Sequence, residues 1–290
     1  METIHTIDWM KQAARQARDA GEVLGFVPTM GALHEGHLSL VRAARERCSR
    51  VVVSLFVNPK QFGPKEDFAR YPRDFDGDRA KLEPEGVAYL FAPRAEEMYP
   101  AGFRTYVTVE GLSERLCGKS RPGHFRGVTT VVLKLLEIVR PHFAFFGRKD
   151  AQQARIIRQM AGDLNLDTEM VVCPIVREAD GLATSSRNAY LHADERRAAT
   201  VLYRSLSRAR KLIEQGERSV SLLAGEIRKW IEAERRAMVD YVEIVDADTF
   251  EPKLDLRGRC LVALAVLFGN TRLIDNMIIE IGEGQPFFEL

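Results

Sequence analysis

A doubly wound α/β domain with a mostly parallel sheet, followed by a smaller α+β domain, is the architecture this sequence predicts. Three observations carry it. Over about the first 175 residues, short apolar runs alternate with amphipathic stretches at helical spacing. Strand-like runs end in turns containing Gly, Pro or Asn that open the next helix. From about residue 176 the texture changes to charged amphipathic helices and then long apolar strands.

Taken in order, residues 23–27 read as a strand. Residues 38–48 read as a helix, with Leu38, Val41 and Ala44 on one face, and 51–57 as an apolar buried strand, which completes a β-α-β unit. A helix over 74–83 and strands over 87–91 and 106–109 follow. Residues 127–140 carry a stripe of Val128, Val131, Val132, Leu135, Leu136 and Val139, stopped by Pro141. A strand over 143–146, a helix over 151–164 and a strand over 168–173 close the series, placing ligands at the carboxyl ends of the strands. The second part reads as helices over 193–215 and 220–236 and strands over 241–245, 260–268 and 271–279. The expected domains are 1–175, catalytic, and 176–290, a lid.

Composition excludes several classes. With 42 basic and 41 acidic residues, the formal charge of +1 provides no global field for nucleic acid or an anionic membrane. Cys48, Cys117, Cys173 and Cys260 form no Cys-x-x-Cys pair, which fits reduced thiols and a cytoplasmic location. The longest apolar run, 260–268, is far below the roughly 20 residues of a spanning helix. There is no Gly-x-Gly-x-x-Gly, Ser113 stands where a P-loop before Gly118-Lys119-Ser120 needs glycine, and no Gly-x-Ser-x-Gly elbow supports a hydrolytic triad.

Four polar clusters stand at the ends of predicted elements. His34 and His37, three residues apart where a helix opens, suit adjacent phosphate oxygens; taken alone they also fit capping or surface histidines, and less well a zinc site. Asn58-Pro59-Lys60-Gln61 offers neutral amides to a substrate, or is merely a turn. Lys149, with Gln153 one turn later, follows the strand over 143–146; alone, Lys149-Asp150 also reads as a solvated capping pair. Thr184-Ser185-Ser186-Arg187-Asn188 combines two hydroxyls and a guanidinium, a compact anion-binding set.

Together these clusters carry a resemblance that covers essentially the whole chain. The segment Pro28-Thr29-Met30-Gly31-Ala32-Leu33-His34-Glu35-Gly36-His37 is similar to a His-x-Gly-His signature block. Phe56-Val57-Asn58-Pro59 through Phe62, Tyr71-Pro72-Arg73, Arg121-Pro122-Gly123-His124, Lys149-Asp150, and Arg177-Glu178-Ala179-Asp180-Gly181-Leu182 into Ser185-Ser186-Arg187-Asn188 follow in the same order. The sequence resembles the pantoate–β-alanine ligases of the nucleotidylyltransferase superfamily, whose catalytic domain is Rossmann-like.

The resemblance implies a reaction in which pantoate and ATP give pantoyl adenylate and pyrophosphate, and β-alanine then releases pantothenate and AMP. It implies catalytic roles for His34, His37, Lys149, Ser185, Ser186 and Arg187. ATP would contact Met30, His34, His37, Gly147, Lys149, Asp150, Val176, Ser185, Ser186 and Arg187. Gln61 and Gln153, with Asn58, would take pantoate, and Asp78 matches an acidic position associated with metal. Mg²⁺ would accompany ATP, and the assembly implied is a homodimer. Thr184 departs from the methionine common in the family, and Arg121 and His124 fit domain or dimer contacts.

The residues agree with that chemistry on their own terms. A carboxylate is already a nucleophile at neutral pH, so attack on phosphorus needs positioning and charge neutralisation more than a base. A sister nucleotidylyltransferase with a phosphorylated acceptor would need further cations where Gln61 and Gln153 stand. An RNA-binding module would need a basic face.

Overall fold

The computed structural model describes residues 1–64 and 66–290. The N-terminal alternation forms a six-stranded sheet in the order β1-β4-β3-β2-β5-β6, with every pairing parallel. Its strands are β1 (Glu2–Ile4), β2 (Leu24–Thr29), β3 (Arg50–Leu55), β4 (Tyr89–Phe91), β5 (Phe143–Gly147) and β6 (Glu169–Cys173). Helices α1 (Ile7–Asp19), α2 (Glu35–Arg47), α3 (Phe75–Leu82), α4 (Ala95–Met98), α5 (Cys117–Ser120), α6 (His124–Val139) and α7 (Ala151–Asp163) connect them. From β2 the chain winds outward through β3 and β4, then returns to β5 on the other side of β2 and continues to β6. The order therefore reverses between β2 and β5, which puts the sheet's ligand crevice outside the carboxyl ends of these strands.

Packing explains the local choices. Val27, Val51, Val53, Leu90 and Phe145 of the sheet share a buried cluster with Leu40, Val41 and Ala44 of α2. A Cβ on Gly25 would lie 2.8 Å from Cys48 Sγ, so glycine lets β2 approach the end of α2. Apolar on most of its circumference, α6 ends where Arg140 turns left-handed at φ +46° before Pro141.

Two expected elements form differently, and β1, α1 and a short strand at Phe287–Glu289 add to those expected. The expected strand over 106–109 does not form: the Val107 N–H donates to Thr130 Oγ1 and its carbonyl accepts from Thr129 Oγ1, so threonines of α6 satisfy its backbone. The helix expected over 193–215 breaks at Thr200 into α8 (Ala193–Ala199) and α9 (Val201–Glu214).

Two compact units result. The first comprises Met1–Glu114, Arg121–Arg148 and Gln152–Cys173; the second comprises Arg115–Ser120, Lys149–Ala151 and Pro174–Leu290. The second unit holds α8, α9, α10 (Val220–Glu232) and an antiparallel sheet, β10-β9-β8-β7, of strands β7 (Ala237–Asp246), β8 (Gly258–Phe268), β9 (Thr271–Ile281) and β10 (Phe287–Glu289). Leu202, Leu206, Ile227 and Ile231 of its helices bury against Val262, Leu264, Met277 and Ile279 of its strands. Arg115 pairs with Glu251 and Ser120 with Asp240, which fastens Arg115–Ser120 to this unit. Among the described residues no helix is long and apolar enough to cross a membrane.

Candidate active site

In the first unit, β2 delivers the chain to a tight turn in which Gly31 (φ +82°) and Ala32 (φ +51°) are both left-handed. That conformation disfavours side chains, and Asp78 of α3 holds it: its carboxylate accepts the Ala32 and Leu33 N–H groups, each at 2.7 Å. A Cβ at Gly31 would stand 2.9 Å from Asp78 Oδ2, so glycine admits the carboxylate. Lys81 Nζ donates to the Leu33 carbonyl and lies 3.8 Å from Asp78 Oδ1. Burial raises the Asp78 carboxyl above its ordinary value, against the pull of these N–H groups toward the anion.

The turn opens α2 through a reciprocal histidine cap. His34 Nδ1 accepts the Gly36 N–H at 3.2 Å, His37 Nδ1 accepts the His34 N–H at 3.4 Å, and the ring centroids lie 4.0 Å apart. Because each Nδ1 is an acceptor, each ring is the neutral tautomer with its proton on Nε2. A Cβ at Gly36 would come within 2.9 Å of His34 Cε1. The His-x-Gly-His spacing thus has a physical reason: a capping ring, room for it to fold back, and a second ring one turn on.

The segment after β3 is fixed with comparable care. Asn58 is buried; its Nδ2 donates to Gln61 Oε1 (3.0 Å) and the Gly127 carbonyl (3.1 Å), while its Oδ1 accepts from Lys60 N (3.2 Å) and Tyr99 OH (2.8 Å). Those four bonds use the whole capacity of an asparagine amide. Asn58 orients Gln61, whose Nε2 then points its donors toward Met30 Sδ at 3.1 Å. Gly127 lets α6 close on this turn, since a Cβ there would meet the Lys60 carbonyl oxygen at 2.2 Å.

Arg121 and His124, whose segment matches the family and which also fit domain or dimer contacts, anchor the same turn. His124 Nδ1 donates to the Gln61 carbonyl at 2.8 Å, so its Nε2 accepts from Arg121 Nη1 at 3.1 Å. Arg121 in turn grips both oxygens of Glu66, at 2.7 and 2.6 Å. Burial alone would raise the Glu66 carboxyl; the Arg121 bond and charge outweigh it and hold the group below its ordinary value. At the end of β5, beside β2, stands Gly147, and Gln153 is half-buried on the first turn of α7. Its neighbour Gln152 faces inward, donating to the Leu112 carbonyl.

The second unit carries the remaining residues. Lys149 and Asp150 end the short turn Arg148–Asp150, with Nζ 3.7 Å from Asp150 Oδ2. Val176 begins a small hairpin in which Thr184 N–H donates to the Val176 carbonyl and Arg177 bridges Ala183. Out of its far arm comes Ser185, whose hydroxyl accepts the Arg187 N–H and caps the turn Ser186–Tyr190. The structure therefore joins Met30 with Gln61 and His34 with His37 in the first unit, and Val176 with the serine turn in the second.

Among the described residues no three His, Cys, Asp or Glu side chains are grouped to hold an ion, and each oxygen of Asp78 accepts one backbone N–H. The role the structure gives Asp78 is to shape the turn before His34.

Fold and clusters together define a doubly wound α/β protein with anion-suited groups at the carboxyl ends of its central strands. The chain belongs to the pantoate–β-alanine ligase family, enzymes of pantothenate biosynthesis: the model of that family matches residues 2–278. The pantothenate synthetase of Heliobacterium modesticaldum is 59% identical over 281 residues, 97% of this chain and all of that one. That of Acetivibrio thermocellus is 55% identical over the same share of each. The crystal structure of pantothenate synthetase from Thermus thermophilus superposes with a TM-score of 0.91 at 46% identity, covering 95% of this chain and 98% of that one. A pantoate–β-alanine ligase from Francisella tularensis, complexed with β-γ ATP and β-alanine, superposes with a TM-score of 0.79 at 35% identity, covering 95% and 97%.

Proposed function

We propose that the chain condenses pantoate with β-alanine in two steps through a pantoyl adenylate, using ATP and releasing pyrophosphate and then AMP. The observation that carries this reading is the reciprocal cap of His34 and His37, which puts two neutral Nε2–H donors at the N-terminus of α2, where the strand order reverses. The Francisella relative's complex with β-γ ATP and β-alanine supports the choice of substrates.

In the first step a pantoate carboxylate oxygen attacks the α-phosphorus of ATP and the bond to the β-phosphate oxygen breaks, releasing pyrophosphate. No proton moves in this step, so no base is needed. His34 and His37 donate to phosphate oxygens, Lys149 and Arg187 neutralise charge on the departing pyrophosphate, and Ser185 and Ser186 donate to it. Met30, Gly147, Asp150 and Val176 bound the nucleotide. Gln61 and Gln153 hold pantoate through neutral amides, which leaves its carboxylate more nucleophilic than an arginine pair would. In the second step the neutral amine of β-alanine attacks the acyl carbon, the bond to the phosphate oxygen breaks, AMP leaves, and the amine loses a proton as the amide forms.

Mg²⁺ enters this reading on the phosphates of ATP, and no step is derived through it. A cytoplasmic setting fits four buried cysteines that form no disulfide, and assembly as a homodimer belongs to the same proposal. Labelling the pantoate carboxylate with ¹⁸O tests the route. One labelled oxygen should appear in AMP; unlabelled AMP with label only in pantothenate would overturn it.

A further inference from the structure

Two consecutive polar residues interrupt the apolar strand β9: Asp275 and Asn276, both buried. Each leads to a different segment of the second unit. The carboxylate of Asp275 takes both terminal nitrogens of Arg177, Nη1 to Oδ2 at 2.8 Å and Nη2 to Oδ1 at 3.0 Å, and also accepts the Asn276 N–H at 2.8 Å. Arg177 extends the connection: Nη1 donates to the Gly181 carbonyl, and the guanidinium lies 4.8 Å from the centroid of the Tyr203 ring. Its backbone bridges Ala183, one residue before Thr184 and the serine turn. Asn276 Nδ2, for its part, donates to the Lys149 carbonyl at 3.0 Å.

The geometry points to Asp275 and Asn276 as the positioning pair that sets Lys149 and the Ser185-Ser186-Arg187 turn in common register for the triphosphate. This rests on the proposed role of those two segments in holding phosphate. The physical reason lies in the cost of loosening buried polar contacts. A charged pair at bidentate geometry has one orientation, and an amide donor fixes a carbonyl to tenths of an ångström. Because the two residues are adjacent on one strand, a shift of β9 moves both anchors together. Lys149 and the serine turn, separated in sequence by a helix and a strand, are thereby referred to one point of the antiparallel sheet. Neither Asp275 nor Asn276 is asked to touch substrate; both act through the backbone they hold.

The test is a cycle of Asn276→Asp and Lys149→Ala, with pantoate-dependent pyrophosphate release measured in single turnovers. N276D keeps the shape of the side chain and removes the donor to the Lys149 carbonyl. It should slow release roughly 10- to 100-fold, the scale of a small misplacement of a reacting group, with KM for pantoate unchanged. In the Lys149→Ala background the same change should cost less than about 2-fold, because the group it positions is gone. An N276D enzyme with normal release, or an equal loss in both backgrounds, overturns the positioning role. A Lys149→Ala enzyme with normal release overturns the phosphate reading itself, and is seen in the single variant before the cycle is closed. Asp275→Asn supplies the second arm: it keeps one bond to Arg177 and should raise KM for ATP several-fold at a near-parental melting temperature, whereas an unchanged KM for ATP overturns the Asp275 half.

Discussion

The two units hold their polar groups by different means. In the first, charge stands one step back, in Asp78 on the turn before His34 and in the Arg121–Glu66 pair behind His124, while the bonds that set the helix cap and aim Gln61 are made by uncharged groups: imidazoles cap a helix, Asn58 aims Gln61, and His124 holds a carbonyl. In the second, the segments bearing Lys149 and Arg187 are tied to a buried ion pair and its neighbouring amide. The contrast matches a division of labour in the proposed adenylation. The attacking carboxylate needs orientation without masking, while the departing pyrophosphate needs positive charge. The first unit would set direction and the second would take up charge.

The largest expected effect tests phosphate handling in both units at once. Replacing His34, His37 or Lys149 with alanine should each slow adenylate formation by about 100-fold, roughly 3 kcal/mol, as for loss of one oxyanion-type donor. Near-parental pyrophosphate release in all three would erase the distinction between the units, since neither would be handling phosphate.

Next in size is a stability effect confined to the first unit. Asp78→Asn keeps the shape of the side chain but turns an NH₂ toward the Ala32 or Leu33 N–H, leaving a buried donor unpaired. It should cost about 2 kcal/mol in denaturant unfolding. Full stability together with full activity would show that the left-handed turn holds itself.

Selectivity sharpens the comparison further. Gln61→Ala and Gln153→Ala should each narrow the preference for pantoate over a dehydroxylated acid by about 10-fold, because an unpaired amide no longer penalises the wrong acid. Unchanged preference in both variants would move the acid pocket away from the neutral amides.

The smallest effect is a pH dependence. The folded-state Glu66 carboxyl lies below its ordinary value of 4.5. Its contribution is therefore fully present above that value and is lost as pH falls through the lowered one. The melting-temperature gap between the parent and Glu66→Gln should shrink as pH falls below 4.5, and a gap independent of pH would remove the charge of Glu66 from the account.

Much of this was legible in the sequence because it is local. The period of apolar residues gives α6, and Pro141 gives its end; the His34-x-Gly36-His37 spacing already contains the cap, since all three residues meet within one helical turn. What was hidden depends on contacts distant in sequence. Asp78 reaches back 46 residues to the turn at Ala32, and Asn276 reaches back 127 residues to Lys149, distances over which no periodicity speaks. Asn58 shows the same limit: in sequence an amide after a strand looks the same whatever it meets, and here it meets Gln61, Tyr99 and a helix carbonyl. The strand expected over 106–109 had the composition of a strand, but the hydroxyls of Thr129 and Thr130 answered its backbone first. One long-range contact does leave a local mark. Two adjacent polar residues within the apolar run of β9 mark a position where burial must be compensated by a partner.

The division between the units is tested most directly by separating the two half-reactions. With ATP and pantoate alone, one equivalent of pyrophosphate per site should appear in a rapid burst with no AMP, and AMP should follow only when β-alanine is added. Pyrophosphate that appears only together with β-alanine, or AMP formed at full rate without it, would contradict the adenylate route and the roles given to both units.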